Sequence, residues 1–214
     1  MTLQPHSVRR RLRRKDARPA EIVVAALHLF AERGFAATKL EDVAAAAGIG
    51  KGTIYLYFAT KEDLFRAVVR QAVVPNIDAA VALAGGDPQR PAADVLRLLA
   101  ERFLTLLDSE LTAIPKLIIA ESGNFPAIAQ FYAEEVASKA MALIRGVLAR
   151  GIARGEFRPI DIDGALPLFS APFLLLALWK HSLGRHTDIQ FDPRAVVAAH
   201  LDILLRGLAA EPRP

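Results

Sequence analysis

Between residues 51 and 61 the chain sets Lys51, Gly52, Thr53, Tyr55, Tyr57 and Lys61 around the apolar positions Ile54 and Phe58. Ammonium and hydroxyl groups at this density are donors for phosphate oxygens, and aromatic rings suit thymine methyl groups, so the segment carries the chemistry of a DNA contact surface. Other chemistries lack their residues. The chain has no cysteine, which removes disulfides, thiolate metal sites and cysteine nucleophiles together. Gly48-Ile49-Gly50-Lys51-Gly52-Thr53 falls short of a phosphate loop: Ala45 stands where the first glycine is required, and Gly52 where Ser or Thr should follow the lysine. The five histidines are scattered, with His181 and His186 on different helix faces, so neither a metal nor another cofactor is expected. Asp161 and Asp163 stand at a helix start, where N-capping accounts for acidic residues. No catalytic set emerges, and an enzyme is not expected.

The elements around this segment give it a position. Phe35 follows Gly34, a left-handed stop for a helix over 19–33 whose apolar face is Ile22, Ala26, Leu29 and Phe30. Thr38-Lys39-Leu40-Glu41 has the form of a capping box, in which Thr38 and Glu41 satisfy free N–H groups at the start of a helix over 39–47. Gly48 ends that helix, and another follows over 51–57. Two short helices around a tight turn are a helix-turn-helix, with the second helix in the major groove. Leu40, Val43, Ala44, Ala47, Ile49, Ile54 and Phe58 form its apolar seam. Charge agrees with this placement: residues 1–60 hold 10 Lys/Arg against 5 Asp/Glu, whereas 61–214 hold 17 against 18. The excess positive charge, with Arg9–Arg14 at its centre, lies where a polyanion would be drawn by counterion release.

The run Phe30-Ala31-Glu32-Arg33-Gly34-Phe35-Ala36-Ala37-Thr38, then Ala44 to Ile49, Lys51-Gly52-Thr53-Ile54-Tyr55-Leu56-Tyr57-Phe58 and Lys61-Glu62-Asp63-Leu64 resembles the TetR family of regulators over residues 19–66. The resemblance implies a homodimeric, usually repressing transcriptional regulator. It places DNA contacts on Thr38, Lys39, Lys51, Gly52, Thr53, Tyr55, Tyr57 and Lys61. Gly50 departs from the family, which often has Ser or a similar cap there; glycine offers no side-chain acceptor. Glu121 to Pro126, Gly151 to Arg158 and Leu174 to Lys180 resemble the regulatory domain of the AefR-like group within the family.

The remainder reads as helices near 61–84, 91–107, 111–122, 126–155, 162–184 and 192–209, with kinks at Pro75, Pro167 and Pro172. The fold class expected is all-α, with about nine helices: a basic flexible arm at 1–18, a three-helix DNA-binding domain at 19–60 and a helical effector-binding and dimerisation domain at 61–214. Phe103, Phe125, Phe131, Tyr132, Phe169 and Phe173 are candidates to line an apolar effector cavity, with Glu121 and His181 as its polar groups. Trp179 and the stripe Val197, Leu201, Leu204 and Leu208 are candidates for a dimer interface. The apolar stretch Ala165–Trp179 is too short to span a bilayer, so a buried helix, no membrane partner and a cytoplasmic location are expected. The partners expected are a roughly palindromic DNA operator, a second copy of the chain and a small apolar effector that releases the operator. An all-helical enzyme or a sequence-independent architectural DNA binder using the same N-terminal module are the alternative readings.

Overall fold

The computed structural model describes the backbone of residues 5–210 and the side chains of residues 18–210. Among the described residues the structure is helical, with one isolated antiparallel bridge between Phe157 and Ala209 and no strand element. The helices form nine continuous segments. The chain divides after Val73 into two compact units.

In the first unit α1 runs Pro5–Arg33, α2 Leu40–Ala46, α3 Lys51–Ile54 and α4 Lys61–Val68. Over 5–18, within the expected basic arm at 1–18, the backbone is helical and continuous with the rest of α1. Arg, Leu, Lys and Ala are strong helix formers and Pro5 suits a first helical position, so the segment needs no apolar periodicity to be helical. Residues 1–4 and the side chains of Arg9–Arg14 lie outside what is described. Ile22, Val23, Ala26, Leu29 and Phe30 of α1 are buried. Gly34 then takes φ +83°, a backbone conformation that costs glycine nothing. The expected domain boundary at residue 60 is corrected. α4 buries Leu64, Phe65 and Val68 and packs on α1, and the rings of Phe30, Phe35 and Phe65 meet pairwise at 5.5–5.9 Å. Aromatic edges against faces at this spacing add to the area they bury, so α4 is part of this core.

A π turn at Val69–Val73 closes the first unit, and α5, Val74–Gly85, begins the second. The kink expected at Pro75 takes this form: proline has no N–H for the carbonyl one turn back, and the widened turn stands immediately before it. α6 (Ala92–Leu106), a 3₁₀ turn (Glu110–Ala113), α7 (Ile114–Glu121) and α8 (Pro126–Tyr132) follow. A second π turn, Ala133–Ala137, joins α8 to α9 (Ser138–Ala153), and α10 (Ile162–His181) and α11 (Pro193–Leu208) complete the unit. One core cluster joins Ala92, Val95, Leu96, Val147, Leu148, Phe157, Phe169 and Leu208. A second joins Ala100, Leu107, Leu176 and Val197.

The turn after α9 shows why its residues are needed. A Cβ at Gly151 would stand 2.4 Å from the Phe157 ring and 2.9 Å from Ala92, so only glycine admits that ring to the core. Glu156 accepts a hydrogen bond from the Ala92 N–H through its carboxylate and so caps α6 from a distant point in the sequence. The run Ile162–Arg185 is longer than the Ala165–Trp179 stretch and, like Lys61–Gly85, would suffice by length and composition alone to cross a bilayer. Phe169 and Leu176 of that run nevertheless belong to core clusters shared with α6 and α11.

Candidate functional site

The turn between α2 and α3 is built on Gly48, at φ +65°, with the Ile49 N–H donating to the Ala44 carbonyl at 2.9 Å. Val43, Ala44, Ile54 and Phe58 are buried in the seam. α3 is shorter than the expected 51–57 helix: after Ile54 the N–H groups of Leu56 and Tyr57 bond three residues back, which tightens the last turn. Gly50 is the N-cap, with no side-chain bond. Lys51, Gly52 and Tyr55 are exposed, Thr53 and Tyr57 half-buried, and Lys39 is exposed at the N-cap of α2. Leu56, absent from the expected contact set, is 83% exposed beside Tyr55. The signal for it was its place off the apolar seam.

Four expected contact residues are engaged by partners within the protein. Thr38 is only 1% exposed, and its hydroxyl lies 2.7 Å from the Gly34 carbonyl and 3.3 Å from that of Leu29. It therefore caps the end of α1, and the expected capping box with Glu41 does not form. Lys61 donates to the carbonyls of Phe35 and Ala36 at 2.6 and 3.0 Å, with its ammonium 4.5 Å from the Phe35 ring centre. Tyr55 donates its hydroxyl to the Glu41 carboxylate at 3.0 Å, and Lys51 pairs with the same oxygen at 3.2 Å. Glu41 is held below the ordinary carboxylate range by a backbone hydrogen bond first, then by Lys51 and Tyr55. The bond to Glu41 raises the Tyr55 phenol. One carboxylate thus clasps two residues of the exposed face.

In the second unit a cavity of about 250 Å³ lies among α5, α6, α9, α10 and α11. Phe103, Phe169 and Phe173 line it as expected, and Phe103 and Phe173 meet edge to face at 5.0 Å. Glu121, Phe125, Phe131, Tyr132 and His181 are not among its lining residues, which corrects that part of the reading. Phe131 is buried elsewhere, in α8. Burial pushes the Tyr132 phenol up to about 12. His181 lies 2.9 Å from the Thr112 hydroxyl, its pKa lowered by burial and then by Arg185, Lys180 and Lys116. It is a hydrogen-bonded core histidine. The polar residues that do line the cavity, Asn76, Arg102, Ser170 and His200, were passed over. His200 carried a signal, since it interrupts the apolar run Ala195–Leu201, whereas Arg102 stands among Asp94, Arg97 and Glu101 and was not marked by its neighbours.

The proposed dimer stripe faces inward. Val197 and Leu208 are buried in this chain's own core, Leu204 packs on it, and Leu201 lines the cavity. Trp179 stacks on Phe191 at 4.8 Å and donates its indole N–H to the Ile189 carbonyl. Among the apolar side chains left outside are Leu168 and Leu175 of α10, 61% and 49% exposed, and Ile203 of α11, 71% exposed. The periodicity of α11 was therefore right, but the face it marked is covered within the chain.

A short helix pair joined by a glycine turn, with a basic and aromatic outer face, defines a helix-turn-helix DNA-binding protein. Residues 22–68 match the family model for bacterial regulatory proteins of the tetR family, and residues 87–190 match a tetracyclin repressor-like C-terminal domain. The chain belongs to the TetR family of transcriptional regulators. The C-terminal match supports a regulatory domain of this family without singling out the AefR-like group. Over nearly its whole length the chain is similar to the HTH-type transcriptional repressor KstR2 of Rhodococcus jostii, 28% identical over 200 residues, 92% of this chain and 93% of that one. To the HTH-type transcriptional regulator YfiR of Bacillus subtilis it is 42% identical over 55 residues, 26% of this chain and only 27% of that protein. The fold is shared with the transcriptional regulator FadR of Bacillus subtilis, solved in complex with stearoyl-CoA, at a TM-score of 0.71 and 22% identity over 88% of this chain and 98% of that one.

Proposed function

We propose that this regulator is a cytoplasmic repressor that binds a roughly palindromic operator as a homodimer and releases it when a small, largely apolar effector enters the second unit. The observation that carries this reading is the presence in one chain of an exposed face at Lys51, Gly52, Tyr55 and Leu56 and an apolar cavity of about 250 Å³. The full-length similarity to a repressor and the stearoyl-CoA bound by FadR support it. Tyr55, Leu56 and Thr53 read base edges and thymine methyls, Lys39, Lys51, Gly52 and Tyr57 meet the backbone, and Lys61 holds the loop before α2 and adds its positive charge beside the phosphates. Thr38 acts only by supporting that loop. Leu168 and Leu175 of α10 and Ile203 of α11 form the face that a second copy covers, because large apolar side chains this exposed on two packed helices call for a partner.

Effector control requires that the ligand favour a DNA-incompetent arrangement, and linkage then makes operator and ligand weaken one another by the same factor. The test is operator affinity with and without saturating ligand, and ligand affinity with and without operator. Reciprocal weakening of about 5- to 150-fold is expected. Unchanged affinities with the cavity occupied would leave the second unit with dimerisation alone.

A further inference from the structure

The cavity is almost wholly hydrocarbon, yet its lining includes one charged residue, Arg102 of α6. The Arg102 guanidinium donates to the Asn76 side-chain oxygen at 3.1 Å, while its Nε is buried and has no hydrogen-bond partner. Among the described residues no carboxylate pairs with it, and no acidic residue lines the cavity. His200 of α11 brings a second buried nitrogen, Nε2, that is likewise without a partner. Burial lowers the His200 pKa, with its hydrogen bond to the Phe169 backbone opposing the shift. Arg102 is half-buried, and an Nε–H shut off from water without a partner is costly until an acceptor meets it; the fork geometry of the guanidinium matches a carboxylate.

We propose that this cavity binds a compact apolar monocarboxylate, its carboxylate on Arg102 and its hydrocarbon against Leu96, Phe103 and Phe173. This rests on the reading of the cavity as the effector site. The volume, about 250 Å³, equals roughly eight water molecules at about 30 Å³ each. That accommodates a short or medium hydrocarbon, and pairing with Arg102 selects the free acid, because a thioester carbonyl bears no negative charge. His200 is the second polar contact, its imidazole 5.8 Å from the Phe173 ring.

The test is calorimetry of the full-length protein with octanoate, octanol and octanoyl-CoA, on the wild type and on Arg102→Gln, Arg102→Lys and Ala100→Trp. Octanoate should bind about tenfold or more tightly than octanol, the range of a charge-assisted hydrogen bond. Arg102→Gln should erase that preference while keeping octanol, Arg102→Lys should retain much of it, and Ala100→Trp, which fills the cavity, should weaken both. Octanol bound as tightly as octanoate, or a preference that survives Arg102→Gln, overturns the assignment of the carboxylate while leaving the cavity in place. Octanoyl-CoA preferred over octanoate overturns the free-acid class. Binding that Ala100→Trp leaves untouched overturns the cavity reading itself. Should Arg102→Gln fail to fold, the wild-type comparison of octanoate with octanol decides.

Discussion

Glu41 is the residue whose position changes most what its neighbours can do. Its carboxylate occupies Tyr55 and Lys51 together, so DNA must compete with it for both. Glu41→Gln should bind random-sequence duplex more tightly, with a salt dependence steeper by about one released ion; titrations at several salt concentrations check this. Acid should do the same to the wild type. Because the folded carboxyl is held below its ordinary pKa of about 4.3, the clasp is whole above that value and opens only as pH falls through the lower folded one. Melting curves of wild type and Glu41→Gln should therefore differ near neutrality and converge in acid. Thr38 makes the opposite case, a residue that resembles a DNA contact and is structural. Thr38→Val removes a buried hydroxyl from two carbonyls and should cost about 1–2 kcal/mol in denaturant unfolding. Its operator selectivity should be unchanged.

At the scale of elements, much was legible. The helix breaks fell at Gly34, Gly48 and Gly155, which all take positive φ, because only glycine adopts that backbone freely. The apolar seam Val43, Ala44, Ile54 and Phe58 followed from spacing. What was not legible shares a cause: it depends on residues far apart in the sequence. The inward turn of Val197 and Leu208 needed the positions of Phe157 and α6, and the cavity gathers Asn76, Arg102 and His200 from three helices. The Ala133–Ala137 π turn has no proline or glycine to mark it. The helical backbone of 5–18 was missed because periodicity reports burial and not helicity. The Phe157 contact gives a direct test of such distant dependence. Gly151→Ala places a methyl into the ring and should cost about 1–3 kcal/mol in unfolding free energy. The double variant Gly151→Ala/Phe157→Leu should be less destabilised than the sum of its single changes.

At the scale of the molecule, the proposed dimer face is open to test at Ile203 of α11. Ile203→Glu, with the side chain 71% exposed in the single chain, should leave the fold and its melting by circular dichroism intact in dilute solution. In sedimentation it should shift the protein from dimer to monomer, and operator affinity should fall because one recognition helix reads only half a site. An unchanged dimer would move the interface elsewhere. The division of the chain after Val73 has a consequence for descent. The Phe30, Phe35 and Phe65 core and the Arg102 and His200 cavity lie in separate units, so each can be substituted without changing the other's own residues. Duplicated copies of such a gene can drift in what they sense while keeping the means of holding DNA. Paralogues should then diverge first at Asn76, Arg102, Ser170 and His200, and the identity of the sensed acid should change along that lineage sooner than the architecture of the promoter sites.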